Sequence, residues 1–94
     1  MLACLNPTAR ADMPTIAIVD GVKIQLFYND HGPAHFHAII GGEEVLIAIR
    51  TLEVRRGALP PGKLRQVVDW ARTHQAELAL NWIKVQDNEA PEAI

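Results

Sequence analysis

The sequence predicts an α+β domain in which an antiparallel β-meander of about four to five strands packs against one long C-terminal α-helix. Three observations carry this. Two segments rich in β-branched and aromatic residues, 15–19 and 22–28, are separated by only Asp20-Gly21. A second pair, 35–40 and 44–50, flanks Gly41-Gly42. After Gly57 the apolar residues stop alternating and recur at steps of three and four.

Asp20-Gly21 supplies the two positive φ angles of a type I′ turn, so the first pair reads as a tight hairpin. Within its second strand Val22, Ile24, Leu26 and Tyr28 alternate with Lys23, Gln25 and Phe27, the period of a sheet with one face buried. Residues 29–33, Asn-Asp-His-Gly-Pro, are turn formers, and Pro33 pushes Gly32 away from helix, so the chain reverses there. The second hairpin follows, and a short strand around residues 52–55 closes the meander. Pro60 and Pro61 suit a helix start, where the missing N–H costs nothing. Leu64, Val67, Val68, Ala71, Gln75, Leu78 and Trp82 then form one stripe, predicting a continuous helix of about 20 residues. Arg65 and Asp69 fall opposite, spaced for an i,i+4 pair, and Trp70, His74 and Asn81 run down one shoulder. Val85 is expected to lie in a last strand or coil beyond the helix.

Ninety-four residues suit one core and one domain, read as 13–86. Residues 1–12 read as a disordered extension or a misassigned start, with Met13 the more natural beginning, and residues 87–94 as a frayed acidic tail. The longest apolar runs are only a few residues, far short of the roughly 18 a spanning helix needs. One cysteine, Cys4, cannot form an intramolecular disulfide, and the first residues lack the apolar centre of a secretory signal. The expected compartment is the cytoplasm. The net charge of −2 conceals an uneven distribution. Residues 13–49 carry −3 and residues 87–94 carry −3, whereas 50–72, with Arg50, Arg55, Arg56, Lys63, Arg65 and Arg72, carry +4. That basic middle could face an anionic partner, or could simply be solvated charge on a hairpin and a helix.

Three of the four histidines fall within seven residues: His31, His35 and His37. Alternation along a strand puts His35 and His37 on one face, about 7 Å apart at Cα, with His31 in the loop before them. Two imidazoles so placed can bind one zinc, nickel or iron ion, with a third ligand from His31, Asp30 or Glu44. They can equally form a polar sheet face that meets a partner. The same histidines with Arg50, Arg55 or Arg56 and Tyr28 have the residue types of a nuclease site, a near-neutral base beside a guanidinium that holds phosphate. Candidate catalytic residues are therefore His31, His35, His37, Arg50 and Arg55, and candidate metal ligands are His31, His35 and His37, for a divalent ion such as zinc. A cupin-like metal site is excluded, because Glu43 follows too late and the strands are too few for a double-sheet barrel. His74 and Glu77 read as a surface pair, and Trp70 and Trp82 as anchors at the core or its rim.

The run Met13-Pro14-Thr15-Ile16, the stretch from Phe27 to Ala38 with Asn29-Asp30-His31, Pro33 and His35-Phe36-His37, then Gly57-Ala58-Leu59-Pro60-Pro61 and Trp70-Ala71-x-x-His74-x-x-Glu77-Leu78-x-x-Asn81-Trp82, closely resembles the bacterial family of domain of unknown function 4160. The resemblance spans Met13 to about Val85. It implies a small protein encoded beside a member of another uncharacterised family, domain of unknown function 2442, in an arrangement like a toxin–antitoxin pair. Such a protein would bind its neighbour's product through a sheet edge or the histidine face. The alternative function is RNA cleavage, other hydrolysis or metal binding at His31, His35 and His37.

Overall fold

The computed structural model describes residues 14–28 and 30–94. Five strands lie in the sheet in the order they occur in the chain, each antiparallel to the next. They are β1 (Thr15–Val19), β2 (Val22–Gln25), β3 (His35–Ile40), β4 (Glu43–Ala48) and β5 (Val54–Gly57). Two helices follow, α1 (Pro61–Arg72) and α2 (Gln75–Gln86). The α+β meander stands, but the single long helix does not. The expectations placed on residues 1–12, on a start at Met13 and on Cys4 lie outside the described residues.

Both predicted hairpins form. Asp20 and Gly21 take φ values of 52° and 82°, as a type I′ turn requires. Strand β2 pairs regularly only to Gln25, although the Leu26 N–H still reaches the Pro14 carbonyl at 3.3 Å. The fifth strand lies two residues later than alternation suggested. A turn occupies its predicted start: Leu52 adopts φ 63°, and its N–H returns to the Ala48 carbonyl at 2.8 Å. At the far end Gly57 takes φ 81°, and a Cβ there would overlap the Glu44 carbonyl oxygen, so this position needs glycine.

The helix breaks at Thr73 and His74 for a local reason. In a continuous helix the Trp70 carbonyl would accept the His74 N–H. Instead it accepts the Thr73 N–H at 3.2 Å, the Thr73 hydroxyl at 2.9 Å and the His74 Nδ1–H at 2.7 Å, while the His74 N–H turns to Ala71 at 2.9 Å. Side chains thus take the bond that would have propagated the helix. The apolar stripe survives the break, since Val67 and Ala71 of α1 and Leu78 and Val85 of α2 are all buried. Val85 therefore belongs to α2, not to a strand or coil. Asp69 pairs with Arg72 at 3.2 Å rather than with Arg65.

The core lies between one sheet face and the helices. Val22, Ile24, Leu26, Phe36, Ala38, Val45 and Ile47 meet Val67, Ala71, Leu78 and Val85. Trp70 borders it with its ring edge-on to Phe36 at 6.5 Å, and the His74 ring stacks on Trp70 at 4.8 Å. The C-terminal segment is bound to the core rather than frayed. Buried Asn81 donates to the Glu92 carbonyl at 2.8 Å and accepts its N–H at 3.0 Å, and the Ile94 N–H reaches the Ile16 carbonyl at 2.8 Å. The opposite sheet face carries the row Gln25, His37, Leu46 and Arg56, paired across four strands. This is the histidine face.

Candidate functional site

Three pieces of chain build the site. Strand β3 supplies His35 and His37, the preceding loop supplies Asp30, and β4 supplies Glu44. Alternation along β3 sends Phe36 into the core and both histidines to the other face, with ring centroids 5.2 Å apart. His37 is only 6% exposed and lies flat against Phe27, with ring centroids 3.9 Å apart and planes 6° from parallel. His35 is flanked on its other side by Trp82 at 5.2 Å. Aromatic packing therefore fixes both imidazoles before any polar contact is considered.

Asp30 is held over them from two directions. Its backbone carbonyl accepts from Gln86 Nε2 at 2.9 Å, tying the loop to the end of α2, and its Oδ1 accepts the His31 N–H at 2.9 Å. Its Oδ2 then faces His35 Nε2 at 2.9 Å and His37 Nε2 at 3.3 Å. The outer nitrogens have partners too. His35 Nδ1 meets the Pro33 carbonyl at 2.9 Å, and His37 Nδ1 meets Glu44 Oε2 at 2.7 Å. The Gly32–Pro33 bond of this loop is cis. Partial burial alone would push the Asp30 carboxyl up. The His37 and His35 rings, when they carry a proton on Nε2, together with the His31 N–H, outweigh it and hold the group below its usual 3.8.

Beside this cluster, on the same face, lies a cleft of about 230 Å³. His31, Pro33 and His35 line one side, and Leu46, Arg55 and Arg56 the other. Among the described residues neither Arg55 nor Arg56 has an ion-pair partner. Two fixed positive charges and two imidazoles thus border one concavity, an arrangement suited to an anion.

The residues singled out in the sequence separate into two groups here. His35 belongs to both the Asp30 cluster and the cleft. His37 belongs to the cluster alone, while His31, Arg55 and Arg56 belong to the cleft alone. Arg50 lies elsewhere, lining a shallow hollow with Ala34, Ile49, Gln75 and Ala79. Tyr28 packs against the hydrophobic core. The sequence offers His31, Asp30 or Glu44 as a third ligand. The structure brings Asp30 to the imidazoles and leaves Glu44 behind His37, whereas His31 is exposed. Gln86 had no signal in the sequence, because its role depends on where the end of α2 falls. His74 and Glu77 form the predicted surface pair at 3.9 Å. Among the described residues no helix is long and apolar enough to cross a membrane.

The family model described as domain of unknown function (DUF4160) matches residues 21–83, about two thirds of the chain, and the chain belongs to that family. The match includes Asp30, both β3 histidines, Glu44, Arg55 and Arg56. No curated protein and no solved structure matched the chain.

Proposed function

We propose that this member of the domain of unknown function 4160 family works through the open face of its sheet, and that its cleft takes a phosphate of single-stranded RNA. The observation that carries this is the convergence of Arg55, Arg56, His31 and His35 on one concavity. Guanidinium groups match phosphate oxygens in charge and geometry. RNA is favoured within the phosphate-bearing ligands because it carries its own nucleophile. A base and a phosphate clamp then suffice: exposed His31 takes the 2′-hydroxyl proton, and the oxygen attacks phosphorus. The bond to the 5′-oxygen breaks, and that oxygen leaves with a proton from water, giving a 2′,3′-cyclic phosphate and a 5′-hydroxyl.

Fluorescence anisotropy with a short single-stranded RNA tests the binding step. The double variant Arg55→Gln, Arg56→Gln should weaken binding about tenfold or more at low salt and reduce the salt slope by roughly 0.7 for each phosphate that is no longer neutralised. His31→Ala should weaken binding far less than the double arginine variant and remove cleavage. Wild-type affinity weaker than about 10⁻⁴ M at low salt, the loose end of non-specific binding, would defeat this reading.

A second reading is favoured by one observation, the state of the sheet edges. The β1 edge receives the Ile94 N–H, whereas β5, the other terminal strand, is exposed at all four residues. Such an edge can accept a strand from a partner protein, and Arg55 and Arg56 on it favour an acidic one. On this reading the chain is the binding half of a two-gene, toxin–antitoxin-like module whose partner is of the domain of unknown function 2442 type. Co-expression should then yield a stable complex, and separate elution of the two proteins at micromolar concentration counts against it.

A further inference from the structure

We infer that Asp30, His35 and His37 bind one divalent transition cation, for which zinc is the reference case. A backbone carbonyl can only accept, so His35 Nδ1, 2.9 Å from the Pro33 oxygen, carries its ring proton. An ionised carboxylate can only accept, so His37 Nδ1, 2.7 Å from Glu44 Oε2, carries its proton as well. When a ring is neutral, its Nε2 is then a bare lone pair. Both lone pairs aim at Asp30 Oδ2, itself an acceptor, from 2.9 and 3.3 Å.

Three acceptors converge with no hydrogen among them, which is repulsive unless a positive species sits between them. Protonating both rings is one way to supply it. A single metal ion is the other, and four features of the site suit it. Two neutral imidazoles and a carboxylate are a donor set that zinc and its neighbours take up. Ligand atoms in a tetrahedral zinc site, with bonds of about 2.0–2.1 Å, lie about 3.3–3.4 Å apart. The observed Oδ2 to Nε2 separations of 2.9 and 3.3 Å lie at or somewhat below this, and the two Nε2 atoms, within 4.8 Å of each other, would draw together to it as the ion binds. The outer partners are those that orient metal-bound histidines, a carboxylate behind His37 and a carbonyl behind His35. Finally, Phe27 and Trp82 hold the two rings in place, so binding needs little reordering.

Three protein ligands leave a coordination position for water or substrate, as in catalytic rather than structural zinc sites. His35 also lines the Arg55 and Arg56 cleft, so the site borders the surface assigned above to phosphate. In that respect the inference deepens the RNA reading, but the two stand on different residues and can fail separately.

The test uses the full chain, purified without a histidine tag and stripped of metal, at pH 8, where free imidazoles are neutral. Titration with zinc alone should show one ion per chain, and cobalt(II) should give the visible absorption of a tetrahedral site. His35→Gln with His37→Gln should abolish uptake. Glu44→Gln should weaken it by about 10–100-fold, the usual effect of losing an outer partner of a ligating histidine. Because the Glu44 side chain is 45% exposed, that variant also reads the site should the ring variants fail to fold, which circular dichroism would reveal. The variant Arg55→Gln, Arg56→Gln should bind zinc normally while losing RNA. Failure of zinc, cobalt and nickel to bind stoichiometrically would overturn the inference and leave protons as the positive species. Uptake unchanged in the double histidine variant would overturn it equally, as adventitious binding at surface groups.

Discussion

Asp30 sits against two imidazoles, and its titration follows from that position. Its carboxyl lies below the usual 3.8 in the folded chain, so the ionised form favours the folded state. The stability this contributes is present above the unfolded value and is lost as pH falls through 3.8 toward the lowered folded value. With metal removed by chelator, wild type should therefore melt higher than Asp30→Asn at pH 5, and the gap should begin to narrow as pH falls below 3.8. Thermal melts from pH 5 downward decide it; a gap that never narrows at any pH below 3.8 at which the chain stays folded would mean Asp30 acts without its charge. Strand period alone puts His35 and His37 on one face, because side chains must alternate. No period describes the loop before β3, so nothing local says that Asp30 folds over the rings and His31 turns out to the cleft. The aromatic clamps are similarly hidden, since Phe27 and Trp82 meet the histidines from positions 10 and 47 residues away along the chain.

Among the elements, turn chemistry was the most readable signal: Asp20-Gly21 and Gly41-Gly42 sit in the two tight turns expected of them. The helix was less readable, because an apolar stripe reports which face is buried and not whether the backbone is continuous. Thr73 and His74 interrupt the hydrogen-bond ladder while Val67, Ala71, Leu78 and Val85 keep facing the core. The C-terminal segment misleads in the opposite direction. Its proline and acidic residues have the composition of a loose end, yet Asn81 grips Glu92 by both backbone groups and Lys84 meets the Glu92 carboxylate at 3.0 Å. Asn81 is 3% exposed, so Asn81→Ala strips two backbone groups of their partner at a nearly dry position. A loss of about 1–3 kcal/mol is expected. Hydrogen exchange should show where it acts: the Ile94 amide, bonded to Ile16, should lose protection well before amides of β3 and β4. Uniform loss of protection across the sheet would mean that the tail is not a separate unit.

At the scale of the whole molecule, the described residues form one apolar interior and two chemically different outer faces, and substitutions should sort by which they touch. Phe36 is fully buried where the sheet meets the helices, opposite Ile47 in the register and against Trp70. Phe36→Ala removes most of a large side chain from a place that three elements define together, and such truncations cost about 3–5 kcal/mol. Small domains have only about 5–15 kcal/mol of stability in total, so this variant should be near the edge of folding at 37 °C. Ile18 is a large aliphatic residue too, but it stands 66% exposed on edge strand β1. Ile18→Ser should change stability by no more than about 0.5 kcal/mol. The contrast matters for the site, because Phe36 lies between His35 and His37 and its burial anchors the strand that carries both rings. Urea unfolding followed by tryptophan fluorescence, where Trp70 reports on the core and Trp82 on the histidine side, should give coincident transitions in both variants. If Phe36→Ala instead lost the Trp82 signal at a lower urea concentration than the Trp70 signal, the histidine face would be unfolding apart from the core, and one cooperative interior would be the wrong description.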